Sequence, residues 1–220
     1  MEYGLQLYSV RDITGEDLEG ALAKVAALGY HFVEFAGFFG HSADKVKAML
    51  DTYGLTVSGT HTGWQELTAE RIDEILLVEG IDEIFVGLND LSLGYGMSFM
   101  FQLLADGTVE RLCGKFREKG IPYGFGGIAA IGQGLLPAER VIAEHYRLGS
   151  ECVILSRSFC NATGKSLDEV QAVFEPGVAA IRARETECGG FTPEEFESNR
   201  QSVVTAVAQI REIIAAKKKA

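Results

Sequence analysis

Three side chains that can bind a metal ion or move a proton stand near the ends of short apolar runs: Glu34, His61 and Asp90. Carboxylate oxygens suit Mg²⁺ and Mn²⁺, and a neutral imidazole binds a metal or shuttles a proton. The pattern predicts a divalent-metal site, with Glu34 and His61 also as catalytic groups. Structural alternatives are a salt bridge for Glu34, a backbone hydrogen bond for His61 and a helix cap for Asp90.

Candidates for substrate binding come from the same positions. Asn89 precedes Asp90, Gly126 lies in Gly124-Phe125-Gly126-Gly127, and Arg157 follows an apolar run. Backbone amides of a glycine-rich turn can approach an anion, and an arginine can bind a carboxylate. Tight turn packing for the glycines and a solvent-facing position for Arg157 are the alternatives, because neither signal is specific alone.

Alternating apolar runs and amphipathic segments predict one α/β domain over residues 1–220, built from βα repeats with a parallel sheet. Helices are predicted at 18–28, 44–53, from 68, 108–119, 137–148, 167–185 and 193–218, with 185–220 as a C-terminal helical extension. Six strands are predicted at Gly4–Ser9, Phe32–Ala36, Thr56–His61, Glu83–Gly87, Pro122–Phe125 and Cys152–Ser156.

The spacing of these strands favours a TIM-type (βα) barrel, in which reactive residues follow the strands. Such barrels have eight βα units, so two are missing. Six strands can close a narrower barrel, stay open or be completed by a partner. The alternative is a doubly wound flavodoxin-like sheet, which accommodates six strands more easily.

The chain resembles one family before residues 62–71 and a different family after them. The segments G-L-Q-L-Y-S-V-R-D, V-E-F-A-G-F and S-G-T-H-T-G, within 4–63, resemble the xylose-isomerase-like sugar phosphate isomerase/epimerase family. Within 72–184, the segments I-D-E-I-L-L-V-E-G-I-D-E-I-F-V-G-L-N-D-L-S-L-G, I-P-Y-G-F-G-G-I-A and V-I-L-S-R-S-F are similar to the HpcH/HpaI aldolase and citrate-lyase beta-chain family. Both resemblances imply barrels.

The two resemblances also imply roles for individual residues. His61 corresponds to a histidine lining the substrate and metal pocket of the isomerase family, and Asp90 to the aspartate that binds Mg²⁺ or Mn²⁺ in the aldolases. Trp64 stands where the aldolases have a second ligand, a glutamate. Nothing here matches their substrate-binding arginine or catalytic histidine.

Two functional hypotheses follow. The first is a recombined or engineered (βα)-barrel scaffold, natural or made in a laboratory, without either parental activity. The alternative is a divalent-metal-dependent enzyme, either an aldolase-type lyase or a sugar isomerase, acting on a small oxo or hydroxy acid or a sugar.

Composition limits the partners. A net charge of −11 disfavours nucleic acid, whose phosphates attract clustered Lys and Arg. No apolar run is long enough to span a bilayer, which together with the start of the chain predicts a cytoplasmic protein. The apolar stripe of the last helix predicts a dimer or larger assembly through the C-terminal helices.

Overall fold

The computed structural model describes residues 4–60, 72–161 and 163–217. The chain divides into two compact units, Met1–Glu66 and Leu67–Ala220. The division falls within residues 62–71, where the sequence analysis predicts that the family resemblance changes. The described residues form a mixed α/β structure with six strands in two three-stranded parallel sheets. A single domain over the whole chain stays a prediction.

The first unit has a sheet in the order β1 (Gly4–Gln6), β2 (Phe32–Phe35), β3 (Thr56–Thr60). A 3-10 helix at Leu7–Val10 follows β1, and the α-helices are α1 (Arg11–Thr14), α2 (Leu18–Ala27) and α3 (Ala43–Tyr53). Buried apolar residues of these elements form its core, including Leu7, Leu22, Val33, Phe35 and Leu50.

Local signals explain where the helices of this unit begin and end. The Asp17 side chain accepts a hydrogen bond from the Gly20 amide at the start of α2, and Ser42 accepts one from the Lys45 amide at the start of α3. Such side chains replace missing backbone partners at a helix N-terminus. Gly54 ends α3 in the left-handed conformation that glycine adopts without strain.

The second unit has a sheet in the order β4 (Ile84–Val86), β5 (Tyr123–Ile128), β6 (Cys152–Leu155). Its short helices are α4 (Ile72–Ile75), α5 (Leu88–Gly94) and α6 (Gln102–Ala105). The longer ones are α7 (Thr108–Glu118), α8 (Ala138–Leu148), α9 (Leu167–Cys188) and α10 (Pro193–Lys217). In the described part of the chain, no helix combines the length and apolar composition needed to cross a membrane.

Helix α8 is the centre of the second unit, because it contacts β5, α9 and α10. Val141 to His145 are five consecutive buried residues, so the helix is covered on more than one face. The hydroxyl of Tyr123, at the start of β5, donates to the Leu148 carbonyl at the end of α8. The Glu151 amide donates to the Tyr123 carbonyl, which links the start of β6 to the same place.

Six strands lie where the sequence predicts them, with two corrections at their ends. The first strand ends at Gln6 rather than Ser9, because the chain turns into the 3-10 helix and buries Leu7 completely. The fifth continues to Ile128, so Gly126 lies inside the strand and not after it. Helices α1, α5 and α6 and the 3-10 helix are additional to the predicted elements.

The strand order distinguishes among the predicted architectures. In a flavodoxin-like sheet β1 lies between β2 and β3, whereas here β2 is central. That alternative is therefore wrong for the first sheet. Within residues 4–60, 72–161 and 163–217 no strand ladder joins the two sheets, so the closed barrel is not confirmed.

Gly126→Ala should lower the free energy of unfolding by about 1–3 kcal/mol, the usual cost of overpacking. Gly126 has a φ of +57°, and an added Cβ would lie 2.7 Å from Cδ1 of the fully buried Leu88. Urea unfolding measures the change. Gly120→Ala is the control, since Gly120 has a φ of +67° and no atom within 4 Å of such a Cβ. Equal losses in both variants would show that crowding against Leu88 is not the cause.

Candidate functional site

The strand ends of the first unit bring Gln6 and Glu34 together. They are paired in the parallel register of β1 and β2, and Gln6 Nε2 donates to Glu34 Oε1 at 3.4 Å. On the other side Glu34 is paired with Gly59 of β3, whose missing side chain leaves space beside Glu34 Cγ. Glu34 is half-buried. The arrangement places a carboxylate and an amide at the carboxyl ends of adjacent strands.

The histidine predicted to complete this site lies outside the described residues. His61 comes directly after β3, which ends at Thr60, and Trp64 is in the same undescribed segment. It therefore stays a prediction that Glu34 and His61 bind a metal ion together and act as catalytic groups.

Asp90 lies in the first turn of α5, three residues after the N-cap Gly87. Its side chain is exposed, and its Oδ2 lies 3.4 Å from the position that a Cβ of Gly87 would take. A carboxylate there interacts favourably with the helix dipole. Asn89 is also exposed, and its carbonyl accepts a hydrogen bond from Ser92 Oγ at 2.8 Å. Glu34 and Asp90 belong to different units.

The remaining candidates, Gly126 and Arg157, differ in surroundings. Gly126 lies in β5 where the register with β6 shifts between Gly124 and Gly127. A Cβ on Gly124 would lie 2.4 Å from Sγ of Cys152, so these glycines allow neighbouring groups to pack against the strand. Arg157 is exposed in the turn after β6. The position of these glycines is thus corrected from a turn after the strand to the strand itself, and substrate binding by Gly126 stays a prediction.

No three His, Cys, Asp or Glu side chains come together as a potential metal site anywhere in the described ranges. This finding does not extend to any set that includes His61.

The second unit contains a buried polar cluster that the sequence analysis did not identify. Glu144 of α8 is fully buried, and its Oε2 accepts from Arg147 Nε at 3.0 Å and Nη2 at 2.8 Å. Its Oε1 accepts from Asn199 Nδ2 of α10 at 2.9 Å. Arg147 Nη1 also donates to Glu110 Oε1 of α7 at 2.8 Å. The cluster connects α7, α8 and α10.

The electrostatics of this cluster follow from its pairing. The hydrogen bond from Arg147 lowers the pKa of the Glu110 carboxyl, against the opposing effect of burial. Burial by itself lowers the pKa of Arg147, but the hydrogen bonds to Glu110 and Glu144 outweigh it, so the pKa is raised. Both pKa shifts favour the charged forms of Glu110 and Arg147, because each group is hydrogen-bonded to a partner of opposite charge.

His145 lies beside this cluster and faces β5. Its ring stacks on Phe125, with centroids 3.9 Å apart and an angle of 6° between the planes. Nδ1 lies 2.8 Å from Ser150 Oγ, whose hydroxyl donates to the Cys152 carbonyl at 3.1 Å. Because a hydroxyl has one proton, this pattern assigns the imidazole proton to Nδ1. Nε2 is buried with no hydrogen-bond partner among the described residues, and burial lowers the pKa of His145 to about 3.

The sequence contains only a partial signal for the cluster. Glu144 and Arg147 are three residues apart on one helix, which is the spacing of an ordinary surface ion pair. Their burial depends on Asn199, which is 55 residues further along the chain.

The chain matches no family model, no curated protein and no solved structure. The resemblances to the isomerase and aldolase families therefore stay predictions.

Glu144→Ala should lower the free energy of unfolding by about 2–3 kcal/mol, because it removes a fully buried carboxylate and leaves the half-buried Arg147 and Asn199 without its hydrogen bonds. Urea unfolding is the measurement. Glu185→Ala is a matched control, since Glu185 forms an ion pair with Arg182 at the same i, i+3 spacing but with the Arg182 side chain 74% exposed. Loss of that pair should cost less than about 1 kcal/mol. Similar losses in the two variants would contradict a special role for Glu144.

Stability should fall as the pH decreases from about 6.5 towards about 3, because the unfolded state binds a proton on His145 that the folded state excludes. Above the pKa of His145 in the unfolded state, the imidazole is neutral in both the folded and the unfolded protein. Its contribution to the free energy of unfolding is therefore constant there. Between about pH 6.5 and pH 5 the expected loss is about 1.5 kcal/mol. Urea unfolding at several pH values measures it.

His145→Phe keeps an aromatic ring on Phe125 and removes the titrating group. The difference between the native chain and this variant isolates His145 from the carboxylates, which titrate in both. An unchanged slope in the variant would show that His145 is not responsible.

Proposed function

We propose that the chain is a scaffold of recombined βα units without either parental activity. The observation that supports this best is the coincidence of two boundaries: the family resemblance changes within residues 62–71, and the two compact units divide there. In each unit the strands follow one another in sequential order, as βα repeats of a barrel do. The proposed origin of both units is a (βα) barrel.

The positions of the inherited residues support the same proposal. Asp90 lies in the first turn of a helix, and Gly126 is inside a strand, where it leaves room for Leu88. Trp64 replaces a ligand of the aldolase pattern. Removing a metal ligand or a group that orients it commonly costs about 10–100-fold in affinity or activity. The loss of several such groups leaves little of either parental site.

The alternative is a divalent-metal-dependent enzyme, a sugar isomerase or an aldolase-type lyase. The specific observation in its favour is the contact between Gln6 and Glu34 at adjacent strand ends, with His61 one residue beyond β3. Glu34 and His61 would hold Mg²⁺ or Mn²⁺, and the metal would polarise a substrate carbonyl or hydroxyl group. Asp90 would supply the ligand in the lyase version.

Calorimetric titration of the chelator-treated protein with Mn²⁺ tests the proposal. We expect only binding weaker than about 1 mM, unchanged in Glu34→Gln and Asp90→Asn, because within the described ranges neither carboxylate belongs to a group of three potential ligands. Asp51→Asn is the control, since Asp51 is an exposed carboxylate paired with Lys47. Stoichiometric binding that Glu34→Gln or Asp90→Asn abolishes and Asp51→Asn retains would overturn the scaffold proposal and favour the enzyme.

Self-association through the C-terminal helices also stays a proposal. The apolar stripe of α10 is buried within its own unit at Val203, Val207 and Ile210, where the helix packs on α6 and α8. Ile213 is 56% exposed. The surface left for a second subunit is therefore the last turns of α10 and not the whole stripe.

A further inference from the structure

A shallow groove, largely open to solvent and with a mixed polar and apolar lining, lies between the first turn of α8 and the middle of α10. Its volume is about 290 Å³, near the lower end for small-molecule sites. Its lining comes from one residue of α8 and five of α10: Arg140, Gln201, Ser202, Thr205, Ala206 and Gln209. The groove belongs to the second unit and uses none of the strand-end candidates.

Arg140 is held in place but has no carboxylate partner. Its Nη1 donates to the Ser202 carbonyl at 3.3 Å, and its own carbonyl accepts from Asn199 Nδ2 at 3.1 Å. Arg147 and Arg200, on the same two helices, each pair with a glutamate. Among the described residues no Asp or Glu lies within ion-pair distance of Arg140. Its guanidinium therefore has donors left for a ligand.

The other lining groups offer mainly acceptors. Thr205 Oγ1 donates its proton to the Gln201 carbonyl at 3.0 Å, and Ser202 Oγ donates to Asn199 O at 2.7 Å, so both hydroxyl oxygens can still accept. Gln201 Nε2 donates to Glu197 Oε1 at 2.6 Å, which leaves the Gln201 amide oxygen as an acceptor. One cation beside several acceptors matches a ligand with one anionic group and several hydroxyl donors.

The charge of the groove indicates which kind of anionic group it can bind. The groove has a single cation, and the chain has a net charge of −11. A phosphate dianion would place more negative charge there than Arg140 neutralises, whereas a carboxylate fits the planar guanidinium with two parallel hydrogen bonds.

We propose that this groove binds a small polyhydroxy-monocarboxylate, with Arg140 holding the carboxylate and the α10 side chains accepting hydrogen bonds from the ligand hydroxyls. The ligand class is that of a sugar acid. The proposal is independent of the activity of the strand ends, because it rests on a different surface.

The test is an NMR titration of the isotope-labelled full chain with sodium gluconate. Saturable shifts should appear at Gln201, Thr205 and Gln209, with an affinity of about 1 mM. Arg140→Gln should weaken binding by about tenfold or more, because it removes a charge-assisted pair. Arg117→Gln is the matched control, since Arg117 is an exposed arginine of α7 in the same unit, and this variant should bind gluconate unchanged.

Two further variants separate binding from folding. Thr205→Val and Gln209→Ala leave Arg140 in place; both should weaken gluconate and leave acetate, which has no hydroxyls, unaffected. Absence of a saturable shift, native affinity in Arg140→Gln with an intact fold, or the same shifts with sodium chloride at equal ionic strength would each overturn the proposal. If Arg140→Gln does not fold, the other two variants decide. A gluconate affinity in Thr205→Val and Gln209→Ala equal to that of the native chain would then overturn the proposal.

Discussion

The second unit depends on one buried charge, the Glu144 carboxylate. An ionised carboxylate is costly to remove from water unless its oxygens are paired. Here one oxygen is bound by Arg147 and the other by Asn199. The requirement to satisfy both oxygens fixes the position of α10 against α8, and Arg147 extends the constraint to α7 through Glu110. Apolar packing alone would allow neighbouring registers of the two helices, because it is not directional.

Helix α8 also connects this charged cluster to the sheet. On its other side His145 stacks on Phe125 of β5, and its hydrogen bond to Ser150 reaches the start of β6. The imidazole is kept neutral by burial, so α8 presents an uncharged face to the strand and a charged one to the helices. Arg140, one turn before Glu144, uses its carbonyl to bind Asn199 as well. The groove between α8 and α10 is thus held by the pairing that positions Glu144.

Much of the secondary structure could be predicted from the sequence, because its signals are local. Six apolar runs predict six strands, and cap residues such as Ser42 and Gly54 mark helix ends. The candidate site could be predicted less well from the sequence. Whether Gly126 ends a strand or lies within it depends on the neighbouring Leu88 and on the register of β6. For Asp90 the sequence favoured a metal ligand over a helix cap, and a carboxylate in the first turn of a helix such as α5 is compatible with both.

The sequence by itself determined the α/β class and the segments that form the parallel strands. These properties follow from periodicity and from residues with fixed backbone preferences, which act over a few positions. Only the tertiary structure decided the strand order in each sheet, the burial of Glu144 and the exposure of Asp90. Those properties depend on partners far along the chain, such as Asn199 for Glu144, and an ion pair of adjacent helix turns has the same sequence spacing whether water or protein surrounds it.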